Sequence, residues 1–331
     1  MLFTHSTFSF PLLHLPHPLS SDPTTEVTPD FVSSTLLRPA LFTRAIYCGE
    51  SNVTKWDCEP CRALGPDIHV IKWGGGEVQT CLHSGVIVFI LLINLPSFLL
   101  DNAAVPNYIV AHDNSTNTIV VAHRGTNTKN LLSILTDLEI KHVDLDKSIF
   151  KNPNGVTVHV GFQDTFKHTS SIILTEVKKA LIEYQSQSVL ITGHSQGAAI
   201  ATLGAVMLHE QLDSSVKKSV VVFGLPRMGN EHWANYVDST IGSEFHRVTD
   251  RKDPVVDLPP HLLNFFHPSG EIHIEEVDEN GQATKVAACP GQENKHCSAG
   301  NSIFHDEWLN HRGRFMNFQS YCGQIFTILT L

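Results

Sequence analysis

The sequence predicts an α/β protein with a central, mostly parallel sheet covered by helices on both faces. Three observations carry that prediction. Short apolar runs rich in Val, Ile and Phe recur from Tyr108 onward, each of strand length. Helical stretches lie between them, so successive strands are joined by crossovers, which parallel neighbours require. The chain has 331 residues, 42% hydrophobic and 17% charged, an ordinary globular composition with ample length to bury a large core.

Taken in order, residues 1–27 are rich in Pro, His and Ser and read as a loose leader, and 28–331 as one domain. As a secretion signal, residues 1–20 are poor. The first basic residue is Arg38, and His5, Pro11, His14 and Pro16 interrupt the apolar run. Thr28-Pro29-Asp30 has the hydroxyl cap and first-turn Pro of a helix start. The helical pattern runs from Phe31 to Cys48, with Pro39 expected to break or kink it. An atypical apolar insert occupies about 79–105. Its centre, Gly85–Leu100, is shorter than the roughly 20 residues of a membrane span and has no flanking Lys or Arg. An insert or an unremoved intron is the leading reading, ahead of a core element or a membrane segment. Tyr108–Ala111 and Thr118–Ala122 flank the polar turn at Asp113 and form a hairpin. A strand follows at Val156–Val160, a helix from about Asp164 to Tyr184, a strand at Val189–Thr192 and a helix to about Leu212. The regular part closes with a strand at Val220–Phe223, a helix near Glu231–Val237 and a strand at Phe245–Thr249.

Composition excludes several functions. A net charge of -10 without clustered Lys or Arg argues against nucleic acid. The 20 histidines lack metal-ligand spacing, and neither metal nor cofactor is expected. Of seven cysteines, six lie near the two ends. That pattern reads as structural disulfides and an oxidising compartment; Cys58-Glu-Pro-Cys61 has no second CxxC to make a zinc site. The sequons at Asn52 and Asn114 agree with that compartment.

Gly193-His-Ser195-Gln-Gly197 carries the chemistry. The GxSxG pattern alone recurs by chance in roughly one chain in ten of this length. Here Ser188–Thr192 reads as an entering strand and Gln196 to Leu212 as a leaving helix, which puts Ser195 on a sharp elbow as a nucleophile. A serine nucleophile needs a base for its proton and donors for the oxyanion. The amide of Gln196 is one donor, and Thr126, in the turn His123-Arg-Gly-Thr126, is placed to be another. An acid is expected at the end of a later strand, where Asp250 and Asp253 both qualify. By chain order His261, His267, His273, His296, His305 and His311 are all admissible bases.

The segments VVAHRGTN, VHVGFQDTF, ITGHSQGAA, VVFGLPRMGN and VTDRKDPVVDLPP, in this order, resemble the secreted fungal class 3 lipases. The resemblance covers about Tyr108 to Cys322 together with ALFTRAIYC and WDCEPC. It implies an α/β-hydrolase fold with a short helical lid, and secretion. It implies Ser195 as nucleophile, Asp253 as acid ahead of Asp250, and His311, in WLNHRGRF, as base ahead of His305. His267 falls on a structural segment. Thr126 and Gln196 fall on the oxyanion positions. Asn127 to Leu138 falls on the lid, where Leu131, Leu132, Ile134, Leu135 and Leu138 would form a side able to meet lipid. The disulfides it implies are Cys48–Cys322, Cys58–Cys61 and Cys289–Cys297, leaving Cys81 unpaired. The insert departs from the family, which has a strand here leading quickly into the hairpin, and is expected to replace or disrupt that strand. The function so implied is triacylglycerol hydrolysis at an oil–water interface, with transient lipid-surface contact. A feruloyl-type or other soluble-ester esterase is the alternative, and an inactive product of a faulty gene model the second.

Overall fold

Alternate residues of the central strands point to opposite sides and are buried on both. Val189, Ile191, Val220 and Val222 enter one apolar cluster, whereas Leu190 and Val221 enter clusters on the other face. Burial on both faces is what parallel strands between helices need. The computed structural model describes residues 18–76, 105–125, 140–151, 154–279, 281–301 and 307–311.

The strands are β1 (Thr25–Glu26), β2 (Ile68–Gly76), β3 (Val105–Asp113), β4 (Thr118–His123), β5 (His142–Asp144), β6 (Thr157–His159), β7 (Ser188–His194), β8 (Lys217–Phe223), β9 (Phe245–Asp250), β10 (Glu271–Val277) and β11 (Ala283–Cys289). Nine of them form one sheet in the order β1-β11-β10-β9-β8-β7-β4-β3-β2. Its centre, β4-β7-β8-β9-β10, is parallel. Antiparallel pairs close both edges. The helices are α1 (Pro29–Phe31), α2 (Leu37–Ala45), α3 (Glu50–Thr54), α4 (Glu59–Leu64), α5 (Val160–Glu183), α6 (Gln196–Gln211), α7 (Glu231–Thr240) and α8 (Trp308–His311). In α6 every residue from Gln196 to Leu208 is buried, because it lies between the sheet and α5. Such a helix is apolar all round rather than striped.

Several expectations change. Residues 18–27 are not loose: β1 pairs with β11, Ser20 bridges to Asn294, and Val27 joins the core. Pro39 does not end the helical run. It sits in the first turn of α2, and a π-helical turn at Val32–Leu36 precedes it. That wider turn relieves the contact between a proline ring and the carbonyl four residues back. Thr28 does cap the run, its hydroxyl accepting from the Phe31 amide at 3.3 Å. The strand expected at Val156–Val160 is β6, which pairs with β5 in a two-stranded ribbon apart from the main sheet and makes one further bridge from Val158 to Gly229. His159 caps the following helix through its ring, so α5 starts at Val160 rather than near Asp164.

The strand expected to be replaced or disrupted is present. β2 pairs with β3 from Ile68↔Asp113 to Gly76↔Val105. Apart from Val105 the insert lies outside the described residues, so the pairing closes on either side of it. Among the described residues no helix is long and apolar enough to cross a membrane.

Candidate active site

The parallel strands share a direction, and the loops after β4, β7, β8 and β9 therefore emerge at one end of the sheet. In open α/β sheets that carboxyl end is where sites form. Ser195 lies between β7 and α6 with φ 61° and ψ −129°, a conformation that costs a non-glycine residue energy. The strain persists because the elbow is held tightly. The Ser195 amide donates to the Phe223 carbonyl at 3.0 Å, and its carbonyl accepts from Ala198 at 2.9 Å. A Cβ on Gly197 would lie 2.5 Å from the Arg124 carbonyl oxygen, and one on Gly193 would lie 2.4 Å from that of Gly197. Helix, elbow and β4 can approach this closely only without those side chains.

Opposite the serine stands His311, at the end of α8. Its Nε2 is 2.9 Å from Ser195 Oγ, and its Nδ1 is 2.9 Å from Asp253 Oδ2. A carboxylate only accepts, so Nδ1 carries the proton and Nε2 accepts from the serine hydroxyl. Asp253 is fixed in turn, its Oδ1 accepting from the Val255 amide at 2.9 Å. All three side chains are buried. Gly224, after β8, has φ +57°, and a Cβ there would press on the His311 ring at 3.0 Å. That glycine leaves room for the imidazole. Gln196, the first residue of α6, puts its amide at the positive end of the helix dipole beside Ser195.

The other candidates fall elsewhere or outside the described residues. Asp250 pairs with Arg251 at 2.8 Å. His267 donates from Nε2 to the Val256 carbonyl at 2.8 Å, and the Nδ1 of His273 meets the Thr249 hydroxyl at 2.8 Å. Thr126, Leu131, Leu132, Ile134, Leu135, Leu138, His305, Cys81 and Cys322 lie outside the described residues. Cys58–Cys61 and Cys289–Cys297 form disulfides. Sequence reading gave no role to Tyr47, His194 or Gly224, all of which touch this site. His194 and Gly224 stand inside GHSQG and VVFGLP, and those motifs were the available signal.

Burial shapes the charges behind the triad. It pushes the Asp250 carboxyl up to about 6, against the opposing pull of Arg251, with Asp253 and Glu307 adding to the rise. Burial likewise raises Asp257 to about 7, although Arg227 opposes it. An acid with a raised folded-state value binds its proton more tightly folded than unfolded. Its contribution favours the fold in acid and is lost as pH climbs from its unfolded value, near 4, through about 6. Asp250→Asn should therefore gain on the parent by on the order of 2–3 kcal/mol between about pH 4 and pH 7.5. Urea unfolding at both pH values measures this, and a difference that does not change with pH refutes it.

A strained serine at a strand–helix elbow, met by a carboxylate-backed imidazole above a mostly parallel sheet, defines an α/β-hydrolase site. The sequence pattern of the class 3 lipases matches residues 120–263. A secreted mono- and diacylglycerol lipase of Malassezia globosa is 38% identical over 179 residues, which are 54% of this chain and 57% of that protein. The lipase of Rhizopus microsporus var. chinensis superposes with a TM-score of 0.71 at 27% identity, covering 95% of this chain and 98% of that one. A triacylglycerol lipase whose catalytic centre is described as a serine protease triad superposes with a TM-score of 0.69 at 25% identity, covering 89% and 100%. Over residues 120–263 the chain is similar to the class 3 lipases. It spans less than two thirds of the length of the curated relatives it matches.

Proposed function

We propose that this protein is a secreted triacylglycerol lipase in which Ser195 is the nucleophile, His311 the base and Asp253 the acid. The observation that carries the reading is the single imidazole of His311, 2.9 Å from both the serine hydroxyl and the carboxylate. Ser195 Oγ attacks the ester carbonyl as its proton passes to His311 Nε2. Asp253 steadies the imidazolium so formed through Nδ1–H. The oxyanion is held by the amides of Gln196 and Thr126, each such donor being worth about 10²–10³ in rate. Collapse breaks the ester bond, and the departing alcohol takes the proton from Nε2. The acyl group remains on Ser195 until water, activated by the same imidazole, releases the fatty acid.

Similarity to a secreted mono- and diacylglycerol lipase and to a triacylglycerol lipase supports an acylglycerol substrate and secretion. The curated relatives are mono- and diacylglycerol lipases, which favours partial glycerides as a second reading. Hydrolysis of tributyrin emulsion against a dissolved p-nitrophenyl ester, with and without a serine-reactive inhibitor, tests the proposal. Inhibitor-sensitive turnover that rises above the solubility limit of tributyrin is expected. Preference for the dissolved ester without that rise overturns it, and mono- and dibutyrin in the same assay decide the second reading.

Residues 127–138 serve as the lid in this scheme. Leu131→Ser with Leu132→Ser should lower emulsion hydrolysis about 10-fold or more while changing dissolved-ester hydrolysis less than about threefold, since each loses buried apolar area only at the lipid surface. Equal losses on both substrates reject the lid.

A further inference from the structure

Behind the triad a second set of polar groups is fully directed. His194 Nε2 lies 2.8 Å from the backbone oxygen of His311, a pure acceptor, so Nε2 carries the proton. Burial, with the neighbouring His311 ring adding to it, holds the His194 imidazole well below its ordinary value and therefore neutral. Its Nδ1 is then an acceptor, and the Tyr47 hydroxyl, 2.9 Å away, must donate to it. The Tyr47 oxygen in turn accepts the Gly125 amide proton at 2.9 Å. Burial raises the phenol, which stays protonated as that donor. The His194 and His311 rings stack with centroids 4.7 Å apart, 29° from parallel. The Arg124 guanidinium lies over the Tyr47 ring, 5.2 Å from its centroid.

This set joins four pieces of chain. Tyr47 follows α2, Gly125 follows β4 and precedes Thr126, His194 ends β7, and His311 ends α8. Nothing in the ester chemistry needs the His194 ring to react, since it faces the backbone of His311 and not the serine hydroxyl. We propose that Tyr47 and His194 are positioning residues that set the base and the oxyanion loop in register across the nucleophile. His194 holds the His311 backbone by a hydrogen bond and backs its ring by stacking. Tyr47 satisfies the remaining His194 nitrogen by donating to it, which holds the ring in place, and pins the Gly125 amide next to Thr126. The proposal rests on the triad reading above.

The test uses the full chain and a dissolved p-nitrophenyl ester. Tyr47→Phe deletes one atom, removing the donor to His194 and the acceptor for Gly125. It should lower kcat roughly 10- to 100-fold, the scale of small misplacements of catalytic groups, with KM changed less than about threefold. His194→Gln can keep an N–H toward the His311 carbonyl, whereas His194→Phe keeps a stacking ring and loses that donor. Gln should therefore recover at least about 10-fold of what Phe loses. Circular dichroism and thermal unfolding confirm that each variant is folded; if His194→Phe is not, Tyr47→Phe and His194→Gln decide. A folded Tyr47→Phe with kcat within about twofold of the parent overturns the proposal, as does His194→Gln falling as far as a folded His194→Phe. Ser195→Ala is the control: retained turnover there fails the triad reading itself, and its loss with an unaffected Tyr47→Phe fails this inference alone.

Discussion

Ser195→Ala is expected to lower ester hydrolysis about 10⁶-fold, by analogy with other serine hydrolases, in a protein that folds normally. The size follows from what the hydroxyl does. In the proposed mechanism it is the atom that becomes covalently bound to the acyl group, and no other hydroxyl stands at the elbow to take its place. The structural cost is small by the same geometry. Alanine keeps a Cβ and with it the strain of φ 61°, so the elbow neither gains nor loses conformational freedom. The removed hydroxyl has as its described partner only His311. His311→Ala should cost nearly as much, and the double variant hardly more than either, because the members of a triad act as a unit. The residue left over reflects the oxyanion donors and substrate binding. Turnover of purified single and double variants on the dissolved ester checks this. Losses that multiply in the double variant mean that serine and histidine work independently, which the shared hydrogen bond does not allow.

The elbow was legible because its information is local. Two glycines, an entering strand and a leaving helix lie within a few residues, and the short distances from Gly193 and Gly197 to neighbouring carbonyls show why no larger residue fits. The parallel order of β4, β7, β8 and β9 followed from the helices between them. The partners of the serine were less legible. Six histidines and two aspartates satisfied chain order, and only the family motifs separated them. What decides among them spatially is that Asp253 turns back after β9 to reach His311, while Asp250 is held by Arg251 and His267 by the Val256 carbonyl. Pairings between distant segments were hidden for the same reason. β1 gains its partner from β11, over 250 residues away, and β6 leaves the main sheet for β5 although its pattern matches that of a central strand. Tyr47 stands inside ALFTRAIYC, but that run by itself says nothing of a histidine 147 residues later.

Asp253→Asn separates the two aspartates that the sequence left open. The amide is nearly isosteric, so the Val255 contact to Oδ1 and the packing around the ring can persist. What changes is direction. If the amide presents its NH₂ to His311 Nδ1, that nitrogen must accept, and the imidazole proton moves to Nε2. Nε2–H then points at Ser195 Oγ where a lone pair is needed, and the serine has no base. If the amide presents its oxygen, the tautomer is kept but the imidazolium formed during attack loses its neighbouring negative charge. Either way kcat should fall about 10⁴-fold, the cost of this substitution in another serine hydrolase. KM should change little, because the carboxylate lies behind the ring and away from the ester. Asp250→Asn touches neither His311 nor Ser195 and loses only its pairing with Arg251. Its kcat should stay within about threefold, because Asp250 is buried outside the hydrogen bonds that join Asp253, His311 and Ser195. The two variants measured side by side on the dissolved ester give opposite answers under this assignment. A large loss in Asp250→Asn with a small one in Asp253→Asn would move the acid role three residues back along the chain and detach the base from the carboxylate it faces.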